Sequence, residues 1–165
     1  MKKYLLALLL ISSFYACNKY EDGPAISFRS AEKRLTGQWQ VTTVLFNTTD
    51  LSAAFLANHF DLYPFSIYSD WNKQYFIGIA ETNGNVIAKS NLNISKHKDR
   101  LTFGMLAQES YRTVAAQLFS FIPPLCAENE WQITRLKNDE LWIKTRFDTN
   151  NFEIKFKLIS DYSTY

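Results

Sequence analysis

Cysteine is nearly missing from this chain. Cys17 and Cys126 are the only two in 165 residues, too few for a disulfide framework. Glycine (5) and proline (4) are scarce as well, which argues against a disordered stalk. No block of Lys and Arg stands out, so there is no electrostatic footprint for nucleic acid. No apolar run reaches the roughly 18 residues that a membrane-spanning helix needs. The chemical motifs are absent too: there is no Gly-rich phosphate loop, no Gly-x-Ser-x-Gly and no His-Glu-x-x-His. The two histidines, His59 and His97, lie far apart in sequence. His59-x-Asp61 alone is too thin for a metal site. Glu128-x-Glu130 would put two carboxylates on one strand face, but near a strand start they read as solvated. The expectation is a chain that is not an enzyme and carries neither cofactor nor metal.

What is present begins at the N-terminus. Met1-Lys2-Lys3 is followed by an apolar stretch from Tyr4 to Ala16, and then by Cys17. A short basic start, a short apolar segment and a small residue before a cut describe a secretory signal peptide over residues 1–16. The cysteine directly after the cut resembles the lipobox of a bacterial lipoprotein, of the kind found in the Bacteroidetes group. Ala16 fits that pattern, while Phe14 and Tyr15 depart from it. The resemblance implies a mature chain that begins at an acylated Cys17 and sits in the cell envelope, with the outer membrane expected and its face left open. Removing Lys2 and Lys3 lowers the basic count from 18 to 16, equal to the 16 acidic residues. Cys126 then has no partner and reads as a buried thiol. Residues 17–33 read as the lipidated cysteine and a polar tether, broken at Gly23-Pro24. Residues 34–165 read as one domain, large enough for its own core.

Within that domain period two dominates, the signature of strands. Phe152, Ile154, Phe156 and Leu158 share one face, and Glu153, Lys155 and Lys157 the other. Leu141, Ile143 and Phe147 form a similar face, and Trp131 with Ile133 a shorter one. Turn residues at 137–139 and 148–151 join these three into a meander. Upstream, 38–46, 65–69, 74–81, 86–94 and 101–106 read as strands, with Asn83-Gly84 as a hairpin turn. That makes about eight, mostly antiparallel. Two helices are predicted. One runs from Asp50, as its cap, to Phe60, with Leu51 and Phe55 facing inward. The other spans Ala107–Phe121, with Val114, Leu118, Phe121 and Ile122 at helical spacing and Pro123-Pro124 as its stop.

The domain opens with Leu35-Thr36-Gly37-Gln38-Trp39-Gln40-Val41. This resembles the Gly-x-Trp start of the lipocalin and calycin group, and the whole resembles the lipocalin-like domains of Bacteroidetes lipoproteins. The resemblance implies a mainly β fold, an antiparallel eight-stranded barrel with one or two short helices, in which Trp39 closes one end. Lipocalins often cover that indole with a C-terminal basic residue. This chain offers Arg146 but no arginine in its last strand. The implied function is a membrane-anchored lipoprotein that binds a small apolar or amphipathic ligand inside the barrel. Phe65, Tyr75, Ile77, Phe103 and Phe119 are the candidate pocket residues. The alternative is a non-catalytic accessory or structural subunit of an envelope protein complex. Expected partners are membrane lipid through Cys17, an apolar ligand or an envelope protein, and no nucleic acid.

Overall fold

Side-chain alternation along each strand fixes two faces, and here one of them is turned wholly inward. The computed structural model describes residues 29–81, 86–104, 107–108 and 112–162. The described residues build ten strands: β1 Gly37–Phe46, β2 Thr49–Asp50, β3 Phe65–Ser69, β4 Tyr75–Ala80, β5 Val86–Ile94, β6 Arg100–Phe103, β7 Ala107–Gln108, β8 Asn129–Leu136, β9 Glu140–Phe147 and β10 Asn150–Ser160. Every pairing is antiparallel. The order is β10-β9-β8-β6-β5-β4-β3-β1, and β1 pairs back to β10. Eight strands therefore close into a barrel, and the predicted fold class holds. The two-residue strands β2 and β7 are additions at the rim, on β1 and β5.

Closure depends on β1. It hydrogen-bonds β3 through Gly37–Trp39 and β10 through Gln38–Phe46. Its pairing with β10 shifts register at Gln38/Trp39 and again at Val41/Thr43. Such bulges bend a strand and increase its twist. They also let Trp39, Val41 and Val44 all point inward. Gly37 meets a steric demand at the same place. Its φ is +150°, and a Cβ there would lie 2.6 Å from both the Leu158 Cδ1 and the Ser160 carbonyl oxygen. Only glycine lets β1 approach β10 this closely.

The two barrel ends are finished differently. At one end the strands are joined by tight turns at 70–74, 95–99 and 137–139, and a short helix, α1 (Ala31–Leu35), packs across it. Ser30 caps α1, its Oγ accepting from the Lys33 amide at 3.2 Å. Ala31, Arg34 and Leu35 are buried. The Trp39 indole N–H donates to the Leu35 carbonyl at 2.8 Å, which ties α1 to the barrel floor. The buried Arg34 guanidinium donates to the Leu136 carbonyl at the end of β8. The polar reading of residues 17–33 did not anticipate this helix.

The other end carries α2 (Ser52–Ala57), α3 (Arg112–Phe121) and single 3₁₀ turns at Phe60–Leu62 and Pro123–Leu125. Phe55, Phe60 and Phe121 form a mutual aromatic cluster with centroids 5.3 to 6.0 Å apart. Leu118, Ile122 and Leu125 are fully buried beneath them.

Both helices differ from the sequence prediction. Asp50 belongs to β2, and Leu51 is the cap position. The Asp50 carboxylate instead accepts from the Ser52 amide at 2.8 Å. Residues 107–108 do not start α3 but pair with Lys89 and Ala88. Pro123-Pro124 does not simply stop the chain but folds into the 3₁₀ turn. The signal segment, Cys17, the Asn83-Gly84 turn and the Val114 side chain lie outside the described residues.

Candidate functional site

The barrel interior is where an eight-stranded barrel would hold a ligand. Inward side chains of β1, β3, β4, β6, β9 and β10 converge there. Phe65, Ile77 and Phe103 are among them, each almost completely buried. They pack sideways against inward rings of nearby strands. Phe65 packs edge-on against Phe156 at 5.4 Å, and Phe103 stacks on Trp131 at 5.6 Å. The void left between Trp39, Phe65, Ile77, Phe103, Leu125 and Ile143 is about 10 Å³ and entirely apolar. A single water needs about that much room and two to four polar partners, so the void is dry. Small-molecule sites run from about 300 Å³ upward. The side chains expected to line a cup fill it instead.

The other two candidates do not join these three. Phe119 is buried on α3 at the helix-bearing end. Tyr75 sits at the turn-bearing end, half-buried, in an open groove with Glu32 and Lys98. Its hydroxyl pKa is raised, first by burial and then by the Glu32 carboxylate. Parity along the strands does put Phe65, Ile77 and Phe103 inside. It does not show whether six opposing side chains meet in the middle, because that depends on barrel radius and on rotamers.

Cations and carboxylates are dispersed over the outer wall. Arg100 pairs with Glu130, Arg135 with Glu140 at 2.6 Å, and Lys155 with Glu153 at 3.4 Å. Trp142 lies on this wall, half-buried between the Arg135 guanidinium at 4.5 Å and the Lys155 ammonium at 4.2 Å. That stacking uses the stems and charges of side chains that would otherwise be fully solvated. Glu128 is exposed, and His59 is an exposed residue with φ +57°. Among the described residues no three His, Cys, Asp or Glu side chains converge on a point. The Cys126 thiol donates to the Pro123 carbonyl at 3.1 Å.

An apolar concavity on the surface lies at the helix-bearing end. A groove of about 390 Å³ runs between α3 and the β1–β10–β9 rim, with Phe46, Leu51, Phe121, Phe147 and Phe152 as its apolar walls. Asp148, Asn150 and Ser120 supply its polar edge. Phe46, Leu51, Phe121 and Phe147 are only half-buried. At the same end Leu56 and Leu62 are 50% and 48% exposed. The sequence shows each of these residues, but their convergence depends on where α3 docks.

No family model and no curated protein matches the chain. Among solved structures it is similar to a lipocalin-like protein from Bacteroides uniformis, at 12% identity and a TM-score of 0.49, covering 76% of this chain and 99% of that one. It is also similar to a redesigned β-barrel, at 12% identity and a TM-score of 0.41, covering 80% and 97%. The barrel stands on this chain's own strand pairing. It is closed and antiparallel, and its described inward side chains leave a void of about 10 Å³.

Proposed function

We propose that this chain is a lipid-anchored envelope protein whose filled barrel serves as a rigid, non-catalytic platform, and that it works by docking a protein partner at the helix-bearing end. The observation that carries this reading is the interior void of about 10 Å³, which leaves no room for a ligand among the described residues. The half-buried aromatic groove supports the choice of face. Monomeric proteins rarely leave clustered apolar side chains uncovered without a use, and interface cores favour aromatics with polar rims. The anchor rests on the sequence around Cys17. Acylation there gives the stable membrane attachment that a single chain would not.

The test is site-specific photo-crosslinking of the full-length protein in its native envelope. A photoreactive residue at Phe147 should capture one discrete protein, and one at the exposed Asn91 on β5, across the barrel from β10, should not. Equal labelling at both positions, or none at Phe147, would remove the docking face. The competing reading, a small apolar ligand bound in the barrel, requires the interior to open, and no cavity among the described residues favours it.

A further inference from the structure

Trp71 breaks the pattern of the rest of the surface. It is 90% exposed, although a Trp gains more from burial than almost any other residue. It sits at the tip of the turn between β3 and β4, and that turn is tightly built. The Asp70 amide donates to the Gln74 carbonyl at 2.9 Å, the Gln74 amide to the Asp70 carboxylate at 2.8 Å, and the Lys73 amide to the Asp70 carbonyl at 3.1 Å. Lys73 takes the left-handed conformation, φ +62°, to complete it. These bonds fix the backbone on both sides of Trp71, and its indole stands in solvent.

The same end of the barrel is where the chain joins the folded body. Arg29 pairs with Asp161 at 2.7 Å, and Glu32 of α1 pairs with Lys98 of the 95–99 turn. One groove of about 480 Å³ is shared by Glu32, by Lys73 and Gln74 of the Trp71 turn, and by Ser95, Lys96 and Lys98. Lys73 and Lys96 are exposed. Between Arg29 and Cys17 stand only residues 18–28, a reach of at most about 40 Å when fully extended. An anchor at Cys17 thus attaches the barrel by this end and holds Arg29 within about 40 Å of the bilayer.

We infer that the turn-bearing end faces the lipid surface, with the Trp71 indole seated at headgroup level and Lys73 and Lys96 toward lipid phosphates. The inference rests on the acylated Cys17 of the proposed function. Trp belongs at such interfaces because its ring is apolar while its N–H keeps a polar partner. Lysine extends its charge outward from an apolar stem, and an anionic surface attracts it. A tether raises the local concentration of the membrane, so a contact too weak to bind the free chain still orients the anchored one. The aromatic groove then points away from the bilayer.

The experiment uses the full processed protein, reconstituted in vesicles of phosphatidylethanolamine with a minority of phosphatidylglycerol and with brominated acyl chains. Bromine quenches only indoles that reach the lipid. Trp emission of the wild type should be quenched, Trp71→Phe should lose most of that quenching, and Trp142→Phe should keep it. Intact mass read on the same sample separates the two possible failures. An acylated chain whose quenching is unchanged in Trp71→Phe, or absent altogether, overturns this orientation alone. A chain without the acyl mass overturns the anchor, and the orientation with it.

Discussion

At the scale of single residues, Gly37 and Trp39 carry the barrel's closure. Gly37→Ala would force a methyl group into the Leu158 side chain and the Ser160 carbonyl, both 2.6 Å from its Cβ. Overpacking of this kind costs about 1–3 kcal/mol, to which the left-handed backbone adds. Chemical denaturation should show that loss, and an unchanged midpoint would mean that β1 and β10 do not close as described. Trp39→Ala removes a fully buried indole and its hydrogen bond to Leu35, with an expected cost of about 3–5 kcal/mol. These two residues are the Gly-x-Trp of the sequence, and their pairing has a physical reason: one admits the neighbouring strand and the other fills the floor beneath it. Among the described residues four carboxylates, Glu32, Asp50, Asp99 and Glu140, are held low and give a pH dependence, which Asp99 and Glu140 serve to test. The Ser95 hydroxyl beside Asp99 and the Arg135 guanidinium beside Glu140 hold both below the usual carboxylate range. A depressed folded pKa contributes stability above the unfolded value of about 4, and that stability is lost as pH falls through the folded one. The melting temperature should therefore drop on acidification below about pH 4, and Asp99→Asn with Glu140→Gln should flatten the drop. A slope as steep in the double variant would assign the acid sensitivity to other groups.

At the scale of elements, the strands were legible and the helices only partly so. A strand buried on one face writes its pattern every second residue, and alternation reads the last strands, while β-branched content and the Asn83-Gly84 turn mark the earlier ones. The final meander was the clearest: Phe152, Ile154 and Phe156 are buried while Glu153, Lys155 and Lys157 are not. α1 was hidden because five residues, Ala31–Leu35, are too few to show a period, and its charged residues resemble a tether. The burial of Arg34 beneath β8 is a tertiary event that no local pattern reports. α3 was placed correctly at its C-terminal half, where Leu118 and Ile122 are spaced by one turn and fully buried. Its start was misread because Ala107–Gln108 pair with β5 across the barrel rim, and such a partner is distant in sequence. α3 is the plug of the helix-bearing end. Leu118→Ala should therefore cost about 2–5 kcal/mol and loosen the Phe55–Phe60–Phe121 cluster. Hydrogen exchange would register this as lost protection in α2. Protection unchanged there would make α3 an independent appendage.

At the scale of the whole molecule, the closed sheet disposes of its edges, and the aromatic side chains that favour strands are also what fill the lumen. A hollow barrel and a filled one share the same inward parity, so the sequence left both open. The void of about 10 Å³ left among the inward side chains favours the filled form. A molecule of this kind presents its ends and its wall to others. Cys17→Ser should shift it from the membrane to the soluble fraction, and a processed chain that still pellets with membranes would contradict the anchor. The central claim is that the barrel holds nothing. Native mass spectrometry of the processed protein, extracted from its own envelope, tests it directly. The expected mass is that of the acylated chain alone, and a stoichiometric small apolar adduct would contradict a filled barrel.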